Sequence, residues 1–372
     1  MSLSVILPNF NHGDVVARAL HALANQTPAA HEIIVVDDGS TDNSVEVIEA
    51  LQRRYASIRL IRSRTNQGIV ASVNTALEVA TGEYLLFAGS DDFVFPGLFR
   101  QALDGLSAYP DAAFFSAGVV LIDSKDRPIG IRPVTVPRHG RGYLSPADVR
   151  RVIRRTDFWA LGTATVYRRR LVAEIGYFDP RLGSLTDTLA NRLLALKHGF
   201  YFNPAVLAAY NKDPMSFSAR TALSAKATGA LLDAAKSWIA ENLPEDVREE
   251  HGPLFDRRMR FAFARLWVMW RDGRKEADTI AEILNFSAFD RSIFKALSRV
   301  PFGARFLTLA WVTVRRPPFG VQAMVAAWWR AQHFKWCGRL AIERRIDDVN
   351  KLNGAGPAAG DLAAGASSSG DR

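Results

Sequence analysis

The chain has 372 residues, of which 48% are hydrophobic and 23% charged. This composition is typical of folded globular proteins and excludes wholesale disorder, collagen and mucin-like stalks. At this length we expect about two domains, or one large domain with an extension. The formal net charge of +9 is compatible with a nucleic acid, an anionic membrane surface or an anionic substrate as partner.

The positive charge is concentrated in one stretch of the chain. Between Gly252 and Lys351 there are 19 basic and 9 acidic side chains, together with six of the eight Trp residues. The rest of the chain is therefore close to neutral, and the basic excess must be explained by this segment alone.

The cysteine content and the lengths of the apolar runs indicate the cellular compartment in which we expect the protein. Cys337 is the single cysteine, which excludes an intramolecular disulfide and a cysteine-based zinc cluster, and we expect it to be a small packed side chain. The N-terminus lacks the charged and apolar regions of a signal peptide. No window reaches the roughly 18 uninterrupted apolar residues of a membrane span. These features predict a protein that stays in the cytoplasm.

The first 120 residues alternate short apolar runs with segments of helical spacing, which predicts βαβ units around a mostly parallel sheet. The predicted strands and helices cover 4–8, 14–23, 32–36, 43–54, 58–61, 69–80 and 84–87. The pattern then becomes mixed up to residue 210, with strands at 114–122 and 163–167 and two helices.

Beyond Ser218 the pattern is helical up to Asn350, with breaks at Pro301 and at Pro317 and Pro318. The end of the chain is rich in Gly, Ala and Ser, which predicts a disordered tail. We therefore divide the chain into a catalytic domain, a helical extension and a tail, at 1–218, 219–350 and 351–372.

Polar clusters follow the first, second and fourth predicted strands. In open α/β sheets, ligands bind at the carboxyl ends of the strands. Three polar loops at one edge of the sheet therefore predict a binding site there.

The second strand is followed by Asp37 and Asp38, whose carboxylates could accept hydrogen bonds from a ribose or a nucleobase, while Gly39 permits a tight exit from the strand. The alternative is an Asx-turn that begins the next helix, with Ser40 or Asp42 as its N-cap.

The fourth strand leads into the loop GSDD at 89–92. Adjacent carboxylates repel each other unless a cation neutralises them, so Asp91 and Asp92 could hold a hard divalent ion such as Mg²⁺ or Mn²⁺. The alternative is an ordinary helix start, since Asp is common in first turns.

Two later segments also contain reactive groups. Asp187 begins an amphipathic helix and is either a functional carboxylate or a helix cap. Lys212 and Asp213 lie in a later loop, which is either part of a site or a simple connector.

In order and spacing, these segments resemble the family 2 glycosyltransferases of the GT-A fold over residues 1–218. The resemblance rests on the motifs SVILPNFNHG at 4–13, EIIVVDDGSTD at 32–42, NQG at 66–68, Asn74, GEY at 82–84, GYFD at 176–179, and Asp187.

The resemblance implies an α/β catalytic domain with a mostly parallel sheet flanked by helices. It implies a nucleotide-diphosphate sugar as donor, with UDP as the expected nucleotide, and Mg²⁺ or Mn²⁺. It places Asp91 and Asp92 at the metal and Asp187 as the base that deprotonates an acceptor hydroxyl. One base and one metal imply single displacement with inversion at the anomeric carbon. The residues implied around the donor are Pro8, Asn9, Asp37, Asp38, Asn66, Gly68, Lys212 and Asp213.

Three positions depart from the family pattern. Gly89 stands where the metal loop usually begins with Asp, Thr186 replaces an acidic residue before the base, and Asp213 stands where a His is often found. These changes keep open an alternative from another class, a catalytically silent scaffold in a glycan assembly complex. A nucleotidyltransferase is excluded because no Gly-rich loop with an activating Arg or Lys lies near the first strand. A dehydrogenase is excluded because no Gly-x-Gly-x-x-Gly follows that strand.

The segment QHFKW at 332–336 is similar to the Gln-x-x-Arg-Trp signature of processive synthases, but it has Lys for Arg and lies in an amphipathic helix without membrane spans. We interpret it as a chance match and expect one sugar to be added per encounter, to a glycan or lipid-linked acceptor of the bacterial cell surface.

The basic extension allows two interpretations. It could lie on an anionic membrane at the inner face of the plasma membrane, with Trp311, Trp328, Trp329, Phe334 and Trp336 at the interface. Alternatively, it packs its aromatic residues on the catalytic core or on a second copy of the chain, as in a homo-oligomer. Nucleic acid is not expected, because no binding motif accompanies the charge.

Overall fold

The computed structural model of the protein describes residues 1–157, 160–212, 225–270, 277–300 and 303–354. Within these ranges a central sheet carries helices on both faces, and a helical C-terminal region follows it. The α/β fold class is as predicted, and the strand and helix boundaries of the first 90 residues agree with the predicted ones to within two residues.

The strands are Leu3–Asn9 (β1), Glu32–Asp37 (β2), Ile58–Arg62 (β3), Tyr84–Phe87 (β4), Phe93–Val94 (β5), Phe114–Ile122 (β6), Pro128–Arg132 (β7), Gly142–Leu144 (β8), Thr165–Arg168 (β9) and Phe200–Asn211 (β10). In the described part of the chain they form one sheet in the order β3-β2-β1-β4-β9-β6-β10-β5, with β7 beside β6 and β8 beside β10. The four strands β1 to β4 are parallel, so their carboxyl ends lie at one edge.

The helices are Val16–Ala24 (α1), Ser44–Arg54 (α2), Ile69–Val79 (α3), Leu98–Ala108 (α4), Pro146–Arg155 (α5), Arg169–Glu174 (α6), Thr186–His198 (α7), Ala225–Asn242 (α8), Glu245–Trp270 (α9), Ala277–Ile283 (α10), Ala288–Ser298 (α11), Ala304–Arg315 (α12), Val321–His333 (α13) and Arg339–Gly354 (α14). A π-helical turn, Phe334–Gly338, joins α13 to α14. The last helix passes the predicted boundary at residue 350 by four residues, and the rest of the predicted tail lies outside the described residues.

Successive residues of the central strands point to opposite faces of the sheet, and both faces are buried. Val5 packs with α1, α2 and α4, whereas its neighbour Ile6 packs with α3 and α7. Parallel strands covered on both faces are apolar throughout, which explains the unbroken apolar runs in the sequence.

The C-terminal region contributes to both faces. Trp238 of α8 and Trp267 of α9 are buried in the cluster that contains Ile6, whereas Ile342 and Ile346 of α14 pack on the opposite face with Leu20 of α1. The helices α8, α9 and α14 of the extension therefore contribute to the folded core. No helix in the described ranges is both long and apolar enough to span a membrane.

The aromatic residues assigned to the extension divide into two groups. Phe334 is buried and Trp311 is partly buried against the core, so neither is available to a surface partner. Trp328, Trp329 and Trp336 are more than half exposed. Cys337 was expected to be packed and this was wrong: it is exposed, because Phe334 takes the inward position of the π-helical turn.

Candidate active site

The end of β1 meets the end of β2 through a side-chain contact. Asn9 lies opposite Asp37 in the parallel register, and its amide nitrogen donates to Asp37 Oδ1 over 2.9 Å. Pro8, one residue earlier, lies opposite Val36 and is partly exposed at the sheet edge. Asn9 and Asp37 are both buried.

Asp37 shapes its own loop. Its Oδ2 accepts from the backbone N–H of Ser40 at 3.0 Å, and its Oδ1 accepts from the Ser40 hydroxyl at 2.6 Å. The loop also needs Gly39, whose φ is +73° and where a Cβ would lie 3.0 Å from the backbone of Thr65. Asp37 thus forms a turn with Ser40, but the residue before the first turn of α2 is Asn43, so the expectation that Ser40 or Asp42 is the N-cap was wrong.

Asp38 reaches across to the loop that precedes α3. Its two oxygens accept from the backbone N–H groups of Gln67 and Gly68, at 2.9 and 2.8 Å, while Asn66 Oδ1 also accepts from Gly68 N. The predicted donor residues Asp38, Asn66 and Gly68 are thus brought together. The contact holds the 66–68 loop against the carboxyl edge of the sheet.

Two further contacts join the three polar loops. His12 Nδ1 and Ser90 Oγ lie 2.6 Å apart, which links the loop after β1 to the loop after β4. Asn11 Oδ1 accepts from Thr41 N over 2.8 Å, which links the loop after β1 to the loop after β2. The polar clusters are therefore neighbours, as their places at the strand ends predicted.

The acid pair occupies the space that a side chain at Gly89 would take. A Cβ at this position would lie 2.9 Å from Asp92 Oδ2 and 3.1 Å from Asp91 Oδ1. The departure from the family pattern at Gly89 thus has a structural counterpart, because the two remaining carboxylates fold over the glycine.

Asp92 is buried and held in place from two sides. Its Oδ2 accepts from the Thr163 hydroxyl, and its Oδ1 accepts from the backbone N–H of Asn211 over 2.9 Å. Burial, reinforced by the negative charge of Asp91, raises the pKa of Asp92 to about 8. The contacts of Thr163 and Asn211 with Asp92 could not be predicted from sequence motifs, because the arrangement of strands in the sheet brings both residues to this loop.

Asp187 lies in the first turn of α7, and it is partly buried. Its Oδ1 accepts from the backbone N–H of Thr188 at 2.6 Å. Burial raises the pKa of the Asp187 carboxyl, and the positive charge of Arg192 on the same helix opposes this effect. The carboxylate also raises the pKa of Tyr167 on β9, although burial of the phenol contributes more.

The segment before α7 is fixed by Asn74 of α3. Its amide nitrogen donates to the Phe178 carbonyl at 3.0 Å, and its Oδ1 accepts from the Phe178 N–H at 3.3 Å. Phe178 in turn packs on Phe87 at the end of β4, with ring centroids 4.9 Å apart. The motif residue Asn74 therefore attaches the segment that precedes α7 to α3 beside the sheet edge.

One short segment connects the acid pair with α7, the helix that carries Asp187. Thr163, in the turn Gly162–Ala164, donates to Asp92, and Asn191 of α7 donates to the Ala160 carbonyl over 3.2 Å. Residues 160–164 therefore set the position of Asp187 relative to Asp91 and Asp92. The acid pair and the helix that carries Asp187 are therefore both hydrogen-bonded to the same polypeptide segment.

Lys212 directly follows β10, and its backbone N–H donates to the Ile122 carbonyl over 2.9 Å. Burial lowers its pKa, and Arg265 and Arg132 contribute in the same direction. Asp213, the other predicted residue of this loop, lies outside the described residues.

The sequence profile described as Glycosyl transferase family 2 matches residues 4–176, which include all three polar loops. Residues 4–176 belong to glycosyl transferase family 2. The matched residues include the acid pair and most of the residues predicted around the donor, whereas Asp187, Lys212 and Asp213 follow them.

Two curated relatives show the extent of the similarity. The uncharacterized glycosyltransferase YibD of Escherichia coli is 42% identical over 101 residues, which is 27% of this chain and 29% of that protein. TarS of Staphylococcus aureus, a poly(ribitol-phosphate) beta-N-acetylglucosaminyltransferase, is 28% identical over 214 residues, which is 54% of this chain and 35% of TarS. The chain spans about a third of the length of these two relatives.

Two solved structures share the fold. The crystal structure of S. aureus TarS 1-349 in complex with UDP-GlcNAc has a TM-score of 0.56 at 17% identity, over 85% of this chain and 92% of that one. The mannosyltransferase PcManGT from Pyrobaculum calidifontis, in complex with GDP-Man and Mn²⁺, has a TM-score of 0.53 at 18% identity, over 90% of this chain and 87% of that one. The fold around the family 2 domain is therefore GT-A.

Proposed function

We propose that the chain is an inverting glycosyltransferase that moves one sugar from a nucleotide-diphosphate sugar to an acceptor hydroxyl. The observation that carries this proposal is the link through residues 160–164, which holds the acid pair and the Asp187 helix in one arrangement. A glycosyl transfer needs a place for the leaving diphosphate and a base for the acceptor, and these two groups supply them.

The donor would bind along the carboxyl edge, with its nucleotide near Pro8, Asn9, Asp38 and the 66–68 loop. Asp37 would contribute by holding the loop after β2. TarS is described with UDP and UDP-GlcNAc and PcManGT with GDP-Man, and this range of nucleotides supports a nucleoside diphosphate as the common element. We propose UDP for this chain.

The acid pair fits a hard divalent cation. Two carboxylates converge over Gly89, and burial together with the negative charge of Asp91 raises the pKa of Asp92, so a cation would stabilise the ionised pair. Among the described residues no group of three or more His, Cys, Asp or Glu side chains could hold a metal, so the remaining ligands would be phosphate oxygens and water. Mg²⁺ or Mn²⁺ held by Asp91 and Asp92 would stabilise the charge on the leaving diphosphate.

Asp187 would act on the acceptor. An oxygen of its carboxylate takes the proton of the acceptor hydroxyl, and the acceptor oxygen forms a bond to the anomeric carbon. The bond from that carbon to the diphosphate breaks, and the nucleoside diphosphate leaves with the electron pair. Because attack and departure occur on opposite faces of the sugar, a single displacement inverts the anomeric carbon.

Calorimetric titration of UDP and of GDP, each with Mn²⁺, tests the donor site. We expect metal-dependent binding of UDP by the wild type and its loss in Asp91→Ala. Asp104→Ala, which removes an exposed acid of α4, is the control. If neither nucleotide binds in a metal-dependent way, the proposal of an active enzyme is contradicted. The remaining interpretation is then the catalytically silent scaffold, which the departure at Gly89 keeps open.

The exposed Trp residues support a location at a membrane surface, at the inner face of the plasma membrane of a bacterium. Trp328 and Trp329 on α13 and Trp336 in the π-helical turn are exposed beside the exposed cation Lys335. Interfacial Trp residues with nearby cations favour anionic headgroups. An acceptor that is lipid-linked or part of a cell-surface glycan would be found at such a surface, and the poly(ribitol-phosphate) acceptor in the name of TarS is of this kind.

Flotation with liposomes of anionic and of neutral lipid tests this location. We expect salt-sensitive association with the anionic liposomes, weakened in Trp329→Ser and Trp336→Ser but not in Phe289→Ser, which removes an exposed aromatic residue of α11. If the protein does not associate with the liposomes and light scattering gives the mass of a dimer, the exposed Trp residues belong instead to the interface of a homo-oligomer.

A further inference from the structure

The acid pair lies between a central strand and a very short one. Asp91 and Asp92 follow β4, which lies between β1 and β9, and they lead directly into β5, a strand of two residues. In the part of the chain that the structure describes, β5 lies at the edge of the sheet and pairs with β10. A strand this short is held by few hydrogen bonds, so the position of the acid pair depends on what packs against β5.

Two arginines cover the aromatic residues at β5. The guanidinium carbon of Arg18 on α1 lies 4.6 Å from the centre of the Phe93 ring. That of Arg345 on α14 lies 4.2 Å from the centre of the Phe95 ring. Both rings are buried and contact each other edge to face, with centroids 5.8 Å apart. The chain directly after Asp92 therefore packs against cations of α1 and of α14.

Each of these arginines is fixed by a second contact. Arg18 Nη1 donates to both carboxylate oxygens of Asp126 at 2.7 Å, and Asn350 of α14 donates to Asp126 Oδ2 over 3.2 Å. Arg345 Nη1 donates to the carbonyl of Val206 on β10 over 2.7 Å. The last described helix of the extension is therefore in contact with β10, with the residue after β5 and with the partner of Arg18.

Arg345 joins the two strands that determine the place of Asp92. Its guanidinium lies over Phe95, after β5, and donates to Val206 of β10. Strand β10 ends at Asn211, whose backbone N–H donates to Asp92 Oδ1 over 2.9 Å. A shift of β5 along β10 would move Asp92 away from this donor, and the two contacts of Arg345 oppose such a shift.

We propose that Arg345 is a positioning residue for the divalent cation, and that it acts on the acid pair through β5. The inference rests on the proposed function, in which Asp91 and Asp92 hold the cation of the donor. Groups that orient metal ligands without touching the metal change metal affinity by about tenfold to a hundredfold when they are removed. Arg345 therefore determines how tightly the cation is held, and not how fast the sugar is transferred once the cation is bound.

Calorimetric titration of Mn²⁺ in the presence of UDP tests this role. Mn²⁺ should bind about tenfold more weakly to Arg345→Met than to the wild type. Arg345→Lys keeps a cation near Phe95 and should recover part of the affinity. Arg344→Met removes the neighbouring exposed arginine of the same helix, is the matched control and should bind Mn²⁺ like the wild type.

The Mn²⁺ dependence of the reaction separates positioning from a general loss of structure. For Arg345→Met, the Mn²⁺ concentration that gives half-maximal release of UDP from a UDP-sugar should rise about tenfold. The maximal rate at saturating Mn²⁺ should equal that of the wild type. A lower maximal rate with an unchanged Mn²⁺ requirement would overturn the positioning role.

Hydrogen exchange measures the effect on the acid loop without any ligand. Peptides that cover residues 88–95 should exchange faster in Arg345→Met than in the wild type, whereas peptides from α3 should exchange equally. If thermal unfolding shows that Arg345→Met is not folded, Arg345→Gln, which keeps a donor for the Val206 carbonyl, takes its place and should shift the same quantities in the same direction.

The outcomes distinguish this inference from the proposed function. Equal Mn²⁺ affinity and equal exchange for the wild type and the Arg345 variants would overturn the role of Arg345 and leave the glycosyltransferase intact. If the wild type itself binds no Mn²⁺ in the presence of UDP, the cation site of the proposed function is rejected, and the role of Arg345 is rejected with it.

Discussion

At the scale of single residues, the neighbouring carboxylates of the site have different tasks. Asp37 folds its own turn, Asp38 holds the loop before α3, and Asp92 is fixed by Thr163 and a backbone N–H. The sequence shows all these acids but not their partners. The partners are determined by which strands lie side by side, and this could not be read from local spacing.

Asn74 provides a test of positioning at the residue scale. Asn74→Ala removes both hydrogen bonds to Phe178, so the segment before Asp187 loses its attachment to α3. We expect the rate of sugar transfer to fall by about tenfold to a hundredfold, since small displacements of a catalytic group have effects of this size. Steady-state kinetics and UDP titration measure the two quantities separately, and UDP affinity should be unchanged.

A matched substitution controls for the loss of an amide. Asn25→Ala removes an Asn of comparable size whose partners, the His21 carbonyl and the Tyr55 hydroxyl, lie at the opposite end of α1 from the site. Its rate should equal that of the wild type. Equal rates for Asn74→Ala and the wild type would show that Asp187 is positioned without the Phe178 contact.

As the proposed base, Asp187 should determine the acid side of the pH profile of sugar transfer through its raised pKa. Because burial favours the neutral carboxyl group, the base is protonated and inactive at pH values where an exposed Asp, with a pKa of about 4, would still be ionised. Burial and the Asp187 carboxylate raise the pKa of Tyr167 above its usual value near 10, so the phenol stays protonated in this range. The transfer rate should therefore fall, as pH decreases, at a pH clearly above 4, and a fall only near pH 4 would contradict the burial of the base.

At the scale of secondary-structure elements, the parallel half of the sheet is predictable, whereas in the second half the predictions at 114–122 and 163–167 are confirmed as β6 and β9 and the other strands are missed. Runs such as β2 are short, apolar and bounded by turn residues, which is a strong local signal. β10 was not predicted, because Pro204 and the irregular register between Asn203 and Ala208 interrupt the alternation. Its place beside β6 depends on pairing with residues far away in the chain.

The helix α7, which carries Asp187, is joined to α9 by a buried ionic group. Asp157 lies 2.8 Å from Arg192 of α7 and 3.4 Å from Arg258 of α9, and all three side chains are almost fully buried. Arg192 also donates to the Thr188 carbonyl next to Asp187. The extension therefore supports the element that carries the base.

Breaking this ionic group should cost stability. In Arg258→Met, Asp157 loses one partner and the free energy of unfolding should decrease by about 3–5 kcal/mol, which is typical of a buried charge left without compensation. Urea unfolding measures the change. The exposed Arg257→Met serves as control, and equal stabilities of both variants would show that Arg192 alone compensates Asp157.

His251 of α9 lies in the same region and should make folding pH-dependent. Burial is the main cause that lowers its pKa from 6.5 to about 4, so the unfolded chain takes up a proton at a higher pH than the folded chain. Stability is therefore lost as pH falls below 6.5, and His251 should contribute a decrease of about 2 kcal/mol between pH 7 and pH 5.

Urea unfolding of His251→Leu at these two pH values isolates this contribution. The variant should lose about 2 kcal/mol less than the wild type on acidification. His139→Leu, at an exposed position, is the control and should behave like the wild type. An identical pH dependence for His251→Leu and the wild type would mean that His251 is accessible to protons in the folded state.

At the scale of the whole molecule, the catalytic domain and the C-terminal extension differ in their charge and in their exposed aromatic residues. The catalytic domain is close to neutral, and its site gathers acids at the ends of parallel strands. The basic, Trp-rich extension packs Trp238 and Trp267 into the core and leaves Trp328, Trp329 and Trp336 exposed. The sequence shows where this basic, Trp-rich segment lies in the chain. It does not show which of its Trp residues are buried and which are exposed, since this depends on which face of each helix meets the sheet.

The central claim is that this arrangement transfers a sugar, and the release of nucleoside diphosphate from a panel of nucleotide sugars with Mn²⁺ tests it most directly. Without acceptor, water takes the place of the hydroxyl, and we predict slow release of UDP from at least one UDP-sugar, abolished in Asp91→Ala and in Asp187→Asn. If the wild type binds UDP but releases no nucleotide from any donor, the protein is the catalytically silent scaffold and the account of Asp187 as a base is contradicted.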